Sequence, residues 1–245
     1  MKKILLACAA IAAATGVSAY AQTPAPAPEH ELSYNVGVTS DYRYRGISQT
    51  RRRPALQGGV DYAHNPTGFY AGAWASTIRW VKDTGGDGNV ELDIYGGQKG
   101  EFGNGLAYDI GGLAYLYPNN RFSSLGLANA NTFELYGQLG FGPAYVKYSH
   151  SLTHLFGVPD SRGSGYLDVG ADIDIAQGFV LNLHVGRQMI RNNPGDYTDW
   201  KVGVSKDFGF VEASLAAVGT NIDTFAPNGR NLSDRGVVLT VSKSF

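Results

Sequence analysis

Ionisable side chains in this sequence fall at alternate positions of extended stretches, which places them on one face of each stretch. Asp41, Arg43 and Arg45 make the densest set. Asp61, Glu91 with Asp93, Asp109, Glu134, Lys147, Asp168 with Asp172 and Asp174, His184, Asp199 with Lys201, and Glu212 follow. Apolar residues occupy the intervening positions. Charges arranged in this way can line a water-filled passage and sort solutes by sign. They can equally brace the wall of that passage as ion pairs, and for Asp41, Arg43 and Arg45 both readings are open. With Lys99 added, these faces hold eleven acids against five bases, a balance that predicts weak preference for cations.

Other chemistries fit poorly. Asp168, Asp172 and Asp174 lack the glycine-containing loop that folds around calcium, so they read as lining carboxylates. His30, His64, His150, His154 and His184 show no ligand spacing on one face, and no metal site is expected. His184 reads as facing water. Ser149 and His150 are neighbours on a strand and point to opposite sides, so they cannot act as nucleophile and base. The glycine runs Gly85-Gly86-Asp87-Gly88 and Gly103-Asn104-Gly105 precede no helical pattern, so they cradle no phosphate. Cys8 is the only cysteine and lies in an N-terminal apolar run, leaving no thiolate for catalysis or metal binding. Neither an enzyme nor a cofactor is expected. A formal charge of −1 gives no basic field for nucleic acid. Arg51-Arg52-Arg53 reads as a solvated loop, with lipopolysaccharide phosphates or acidic solutes as the alternative partners.

The element that positions these groups is set by the stretch from Leu32 to Gln49. Leu32, Tyr34, Val36, Val38, Tyr42 and Tyr44 alternate with Ser33, Asn35, Gly37, Thr39, Asp41, Arg43 and Arg45. A period of two held that long predicts a strand between unlike surroundings. Eleven further stretches repeat it, and the long and short connections between them alternate strictly. That order predicts a closed, twelve-stranded antiparallel barrel of the outer-membrane kind, with short periplasmic turns and longer extracellular loops. A soluble barrel has the same period, but here the charges avoid the apolar faces. Aromatics near strand ends (Tyr42, Tyr44, Tyr62, Trp74, Trp80, Phe141, Phe179, Trp200, Phe208, Phe210) read as interfacial girdles. Alanines and aromatics leave the facing of the third strand, Phe69 to Ile78, undecided. Ahead of the barrel (residues 32–245), Met1–Ala21 reads as a secretory signal and Gln22–Glu31 as an extended Pro/Ala tether. The expected bore is roughly 10 Å or less. That suits passive diffusion of small hydrophilic solutes, the rival being a structural or adhesive barrel with a plugged lumen.

Several motifs carry a family resemblance. Ser40-Asp41-Tyr42, Arg45-Gly46-Ile47-Ser48-Gln49, Pro54-Ala55-Leu56-Gln57-Gly58-Gly59 and Gly68-Phe69-Tyr70-Ala71-Gly72 resemble the N-terminal signature of the TorF-type porins. The resemblance implies an outer-membrane channel in contact with outer-membrane lipid and lipopolysaccharide. Phe245 resembles the terminal signal read by the outer-membrane assembly machinery.

Overall fold

A computed structural model describes residues 28–245. The signal segment and most of the tether lie outside the described residues. The strands are β1 (His30–Thr39), β2 (Arg43–Tyr44), β3 (Ile47–Ser48), β4 (Ala55–His64), β5 (Phe69–Thr77), β6 (Val90–Phe102) and β7 (Leu106–Leu116). They continue with β8 (Thr132–Phe141), β9 (Ala144–Ser151), β10 (Gly165–Asp174), β11 (Phe179–Met189), β12 (Tyr197–Asp207), β13 (Glu212–Thr220) and β14 (Gly236–Ser244). Twelve of them form one closed antiparallel barrel, each paired to its chain neighbour, with β1 shared between β4 and β14. Only β2 and β3 stand outside it, paired with each other. Closure leaves no unpaired edge, a condition that a strand structure must meet in hydrocarbon.

The facing follows the alternation. Leu32 (56% exposed), Val36, Leu56, Ile110 (56%), Leu139, Val169, Val202 and Leu239 all point outward and are exposed. Glu91, Asp109, Glu134, Gln138 and Asp199 point inward and are buried. A surface apolar in every strand, around an interior that holds the charges, is built for lipid. No helix of the described residues is long and apolar enough to cross a membrane. β5 now has a definite facing: Trp74 and Ser76 are buried inside, while Phe69 is exposed outside.

Four features differ from the sequence reading. β1 ends at Thr39, ten residues short of the extended stretch read from the alternation. β1 also begins at His30, within the segment assigned to the tether. Tyr42 and Tyr44 therefore leave the lipid face: Tyr42 is buried in the interior core, and Tyr44 packs against it. Trp74 and Trp80 leave the girdle as well. Trp74 lies inside the bore, and Trp80 opens the short outer-loop helix α1 (Trp80–Asp83). Phe141, Phe208 and Phe210 do stand exposed at strand ends.

Candidate functional site, the lumen and its inward hairpin

The first outer loop, residues 40–54, folds down into the barrel instead of capping it. Its arms are β2 and β3, and its tip is Arg45-Gly46, with φ of 45° and 80°. Positive φ at both central residues is the geometry of a tight hairpin turn. Gly46 is required twice over. A side chain there would strain the backbone, and its Cβ would sit 2.8 Å from the Cβ of Asp199 on the β12 wall.

Asp41 organises the base of the hairpin. Its Oδ2 accepts from Arg43 Nε at 2.5 Å, and its Oδ1 accepts from Ser48 at 2.6 Å and Thr50 at 3.2 Å. Arg43 donates further to the carbonyls of Gly46, Leu232 and Asp234, tying the hairpin to the last outer loop. The tip spans the bore. Arg45 donates to Glu134 Oε2 on β8 at 2.7 Å and to Gln188 Oε1 on β11 at 2.6 Å. Its guanidinium lies 4.1 Å from the Tyr166 ring centre and 4.8 Å from that of Tyr44. Tyr42 donates to Glu91 on β6 at 2.6 Å, and Tyr44 to Tyr115 on β7 at 2.9 Å. The hairpin thus touches walls around most of the barrel's circumference.

An aromatic cap covers it from outside. Trp80 packs edge-on against Tyr117 and Phe122, at 4.9 and 5.6 Å between ring centres. Phe156 packs likewise on Tyr44 and Tyr115. Arg51 pairs with Asp83 of α1, a bond that raises the pKa of the guanidinium against the opposing pull of burial. Arg52 pairs with Asp234, while Arg53 is exposed.

Below the hairpin, the wall carries a polar lattice. Tyr70 donates to Asp109 at 2.6 Å and meets the Tyr136 hydroxyl, and Tyr95 donates to Asp61. Lys147 lies 4.0 Å from the Tyr136 ring centre. His184 is clamped between two strands, with Nδ1 2.8 Å from Asp168 and Nε2 2.7 Å from Asp199. Its side chain is 15% exposed, so the expectation that it simply faces water is corrected. Asp93 is buried beside Glu91, and Asn182 donates to Asp172 at 2.7 Å. Lys201 is exposed level with His184, and toward the inner end Asp172 and Asp174 are exposed and Glu212 is half-buried, so water reaches this half of the lumen.

Asp41, Arg43 and Arg45 were expected on the lumen face of the first strand. They stand instead on the hairpin, inside the lumen but off the wall. Sequence reasoning also missed Tyr115, Tyr166 and Gln188, which receive the hairpin. One signal was present: Arg45-Gly46 between two short extended pairs has the form of a two-residue turn.

A closed barrel with a lipid-facing apolar belt and a polar, loop-narrowed interior is the architecture of the outer-membrane β-barrel class. The chain belongs to a family described as a bacterial protein of unknown function (Gcw_chp), whose model matches residues 22–245. Among solved structures it is similar to the KdgM porin in complex with disordered oligogalacturonate. That match has a TM-score of 0.54 at 6% identity and covers 87% of this chain and 97% of that one. It is also similar to the NanC porin, with a TM-score of 0.52 at 12% identity, covering 86% and 98%. At such identities the likeness is one of fold. No curated protein matches the sequence.

Proposed function

We propose that this protein is an outer-membrane channel for passive diffusion of small hydrophilic solutes, with hairpin 40–54 as its constriction and gate. The observation that carries the reading is the span of Arg45 across the bore to Glu134 and Gln188. A barrel that served only as a membrane scaffold could fill its interior with apolar side chains. This one sets charged and hydroxyl groups among its buried aromatic rings, around a loop held by a few polar anchors. In the docked position the hairpin limits passage to water and small ions. Larger solutes pass when it swings outward, over a wall whose hydroxyls and carboxylates replace part of their hydration. The likeness of the hairpin motif to TorF-type porins supports the same reading.

On this reading the chain reaches the outer membrane after loss of residues 1–21. Its belt contacts lipid and lipopolysaccharide, and its lumen residues catalyse no reaction. Carboxylates outnumber bases along the lumen, which favours weak cation selectivity. The density of the plug supports a second reading, a structural barrel that never opens.

Planar-bilayer recording separates the two. Wild type should show a small, flickering conductance. Arg45→Ala with Glu134→Ala, which removes both partners and leaves no lone buried charge, should raise it several-fold. Silence from both the wild type and a variant whose residues 43–48 are replaced by a short Gly-Ser link would favour the structural barrel.

A further inference from the structure

At the inner rim, where β1 and β4 meet, a second constellation lies far from the hairpin. Register places His30 directly opposite His64, with ring centres 5.0 Å apart. Asn65 then holds the chain entering β1. Its side-chain amide donates to the Pro28 carbonyl at 2.8 Å and to the Glu31 carboxylate at 3.3 Å, and its backbone N–H donates to the Glu29 carbonyl at 3.0 Å. This fixes Glu29 beside both rings. Its Oε1 lies 3.4 Å from His64 Nε2 and 3.7 Å from His30 Nε2. One donor atom from each residue falls within 4.8 Å of the other two.

The remaining ring nitrogens are occupied. His30 Nδ1 is 2.8 Å from the Tyr62 hydroxyl, and His64 Nδ1 is 2.6 Å from the Thr67 hydroxyl. A hydroxyl can accept from Nδ1–H, so a cation that displaces the Nε2 proton now shared with Glu29 meets a lone pair on each ring. Imidazoles oriented in this way through their second nitrogen are the usual form of metal-binding histidine. Tetrahedral zinc, with bonds of about 2.0–2.1 Å, separates its ligand atoms by roughly 3.4 Å. Glu29 and His64 already stand at that spacing, Glu29 and His30 are within a few tenths of an ångström of it, and the two rings close by about 1.4 Å at most.

We propose that Glu29, His30 and His64 form a binding site for a divalent transition cation of the zinc class, with water in the fourth position. Two imidazoles and one carboxylate suit zinc, copper or nickel, whereas magnesium and calcium favour oxygen ligands alone. A bound ion ties the segment ahead of β1 to the β4–β5 turn, pinning the tether at the inner rim. The sequence shows no ligand spacing for this pair because the two histidines, distant along the chain, meet only through sheet register.

The test is a calorimetric titration of the folded chain in detergent with Zn²⁺, after chelator treatment. One ion should bind per barrel. His64→Gln and Glu29→Gln should each weaken binding by about tenfold or more. Glu29 lies outside the strand ladder, so its variant keeps the barrel intact, and gel mobility before and after boiling confirms folding. Four-coordinate Co²⁺ should give intense visible bands in wild type that both variants lose. No saturable zinc binding by wild type, or equal affinity and stoichiometry in folded variants, would overturn the assignment.

Discussion

Arg45 is held by two charge-assisted hydrogen bonds and two aromatic faces, while its own backbone sits in the left-handed region that only its neighbour Gly46 adopts without strain. Such a conformation persists where surrounding contacts over-determine it. Its partner Glu134 is 2% exposed, so Arg45→Ala alone strands a buried carboxylate at a cost of about 3–5 kcal/mol to the docked hairpin. Lysine is a poor substitute, since it offers neither the planar fork nor the same stacking. Gly46→Val should undock the tip by another route. It adds about 1–2 kcal/mol of left-handed strain and a clash with Asp199. Limited trypsin digestion of the folded barrel reads both effects. Wild type should resist cleavage at Arg43 and Arg45; Arg45→Ala should be cut faster at Arg43, and Gly46→Val faster at both. Equal resistance in all three would mean that the aromatic cap, not the tip, holds the hairpin.

At the scale of elements, β1 and β14 decide closure, and Phe245 sits at their seam. Its N–H donates to the Tyr34 carbonyl at 2.9 Å and its carbonyl accepts from Tyr34 N–H at 3.1 Å, extending the ladder past β14. Its ring points outward and is 71% exposed. Such a ring, on the seam and free to be gripped, fits a residue read during assembly. Phe245→Asp should lower outer-membrane levels in cells while the precursor is still processed. Wild-type levels from the variant would remove the idea. The twelve barrel strands were legible in the sequence because each keeps unlike surroundings on its two faces, and period two records that directly. The end of β1 was not, since the hairpin arms are themselves extended and Tyr42 and Tyr44 continue the alternation past Thr39. Their apolar rings are buried against the barrel's own interior, and a pattern of apolar residues does not distinguish lipid from core. The His30–His64 pair was hidden for another reason: it exists only through register between two strands.

For the whole molecule, the lumen's net field is the quantity that counting charges along the sequence tried to reach, and the structure changes how the count should be made. Two acids of the original eleven, Asp41 and Glu134, are matched at contact distance by Arg43 and Arg45. Opposite charges that close cancel beyond a few ångströms, so neither arginine offers the anion-attracting patch its position suggests. Setting those two pairs aside leaves nine acids facing three lysines, Lys99, Lys147 and Lys201. His184, between Asp168 and Asp199, offsets the balance locally. The exposed acids, Asp172 and Asp174, lie toward the inner end, with exposed Lys201 above them at mid-strand. Current through the barrel must cross that field, and mobile salt screens it over about 10 Å at 0.1 M. Reversal potentials across a tenfold KCl gradient should therefore show potassium preferred, more clearly when both solutions are dilute. Asp172→Asn with Asp174→Asn should weaken the preference without changing the docked hairpin, because neither residue touches it. Arg45→Ala with Glu134→Ala, which removes one charge of each sign, should raise conductance while leaving the sign of selectivity unchanged. Anion selectivity in the wild type would mean that the hairpin is undocked during conduction, with Arg43 and Arg45 released from their carboxylates and facing the permeating ions.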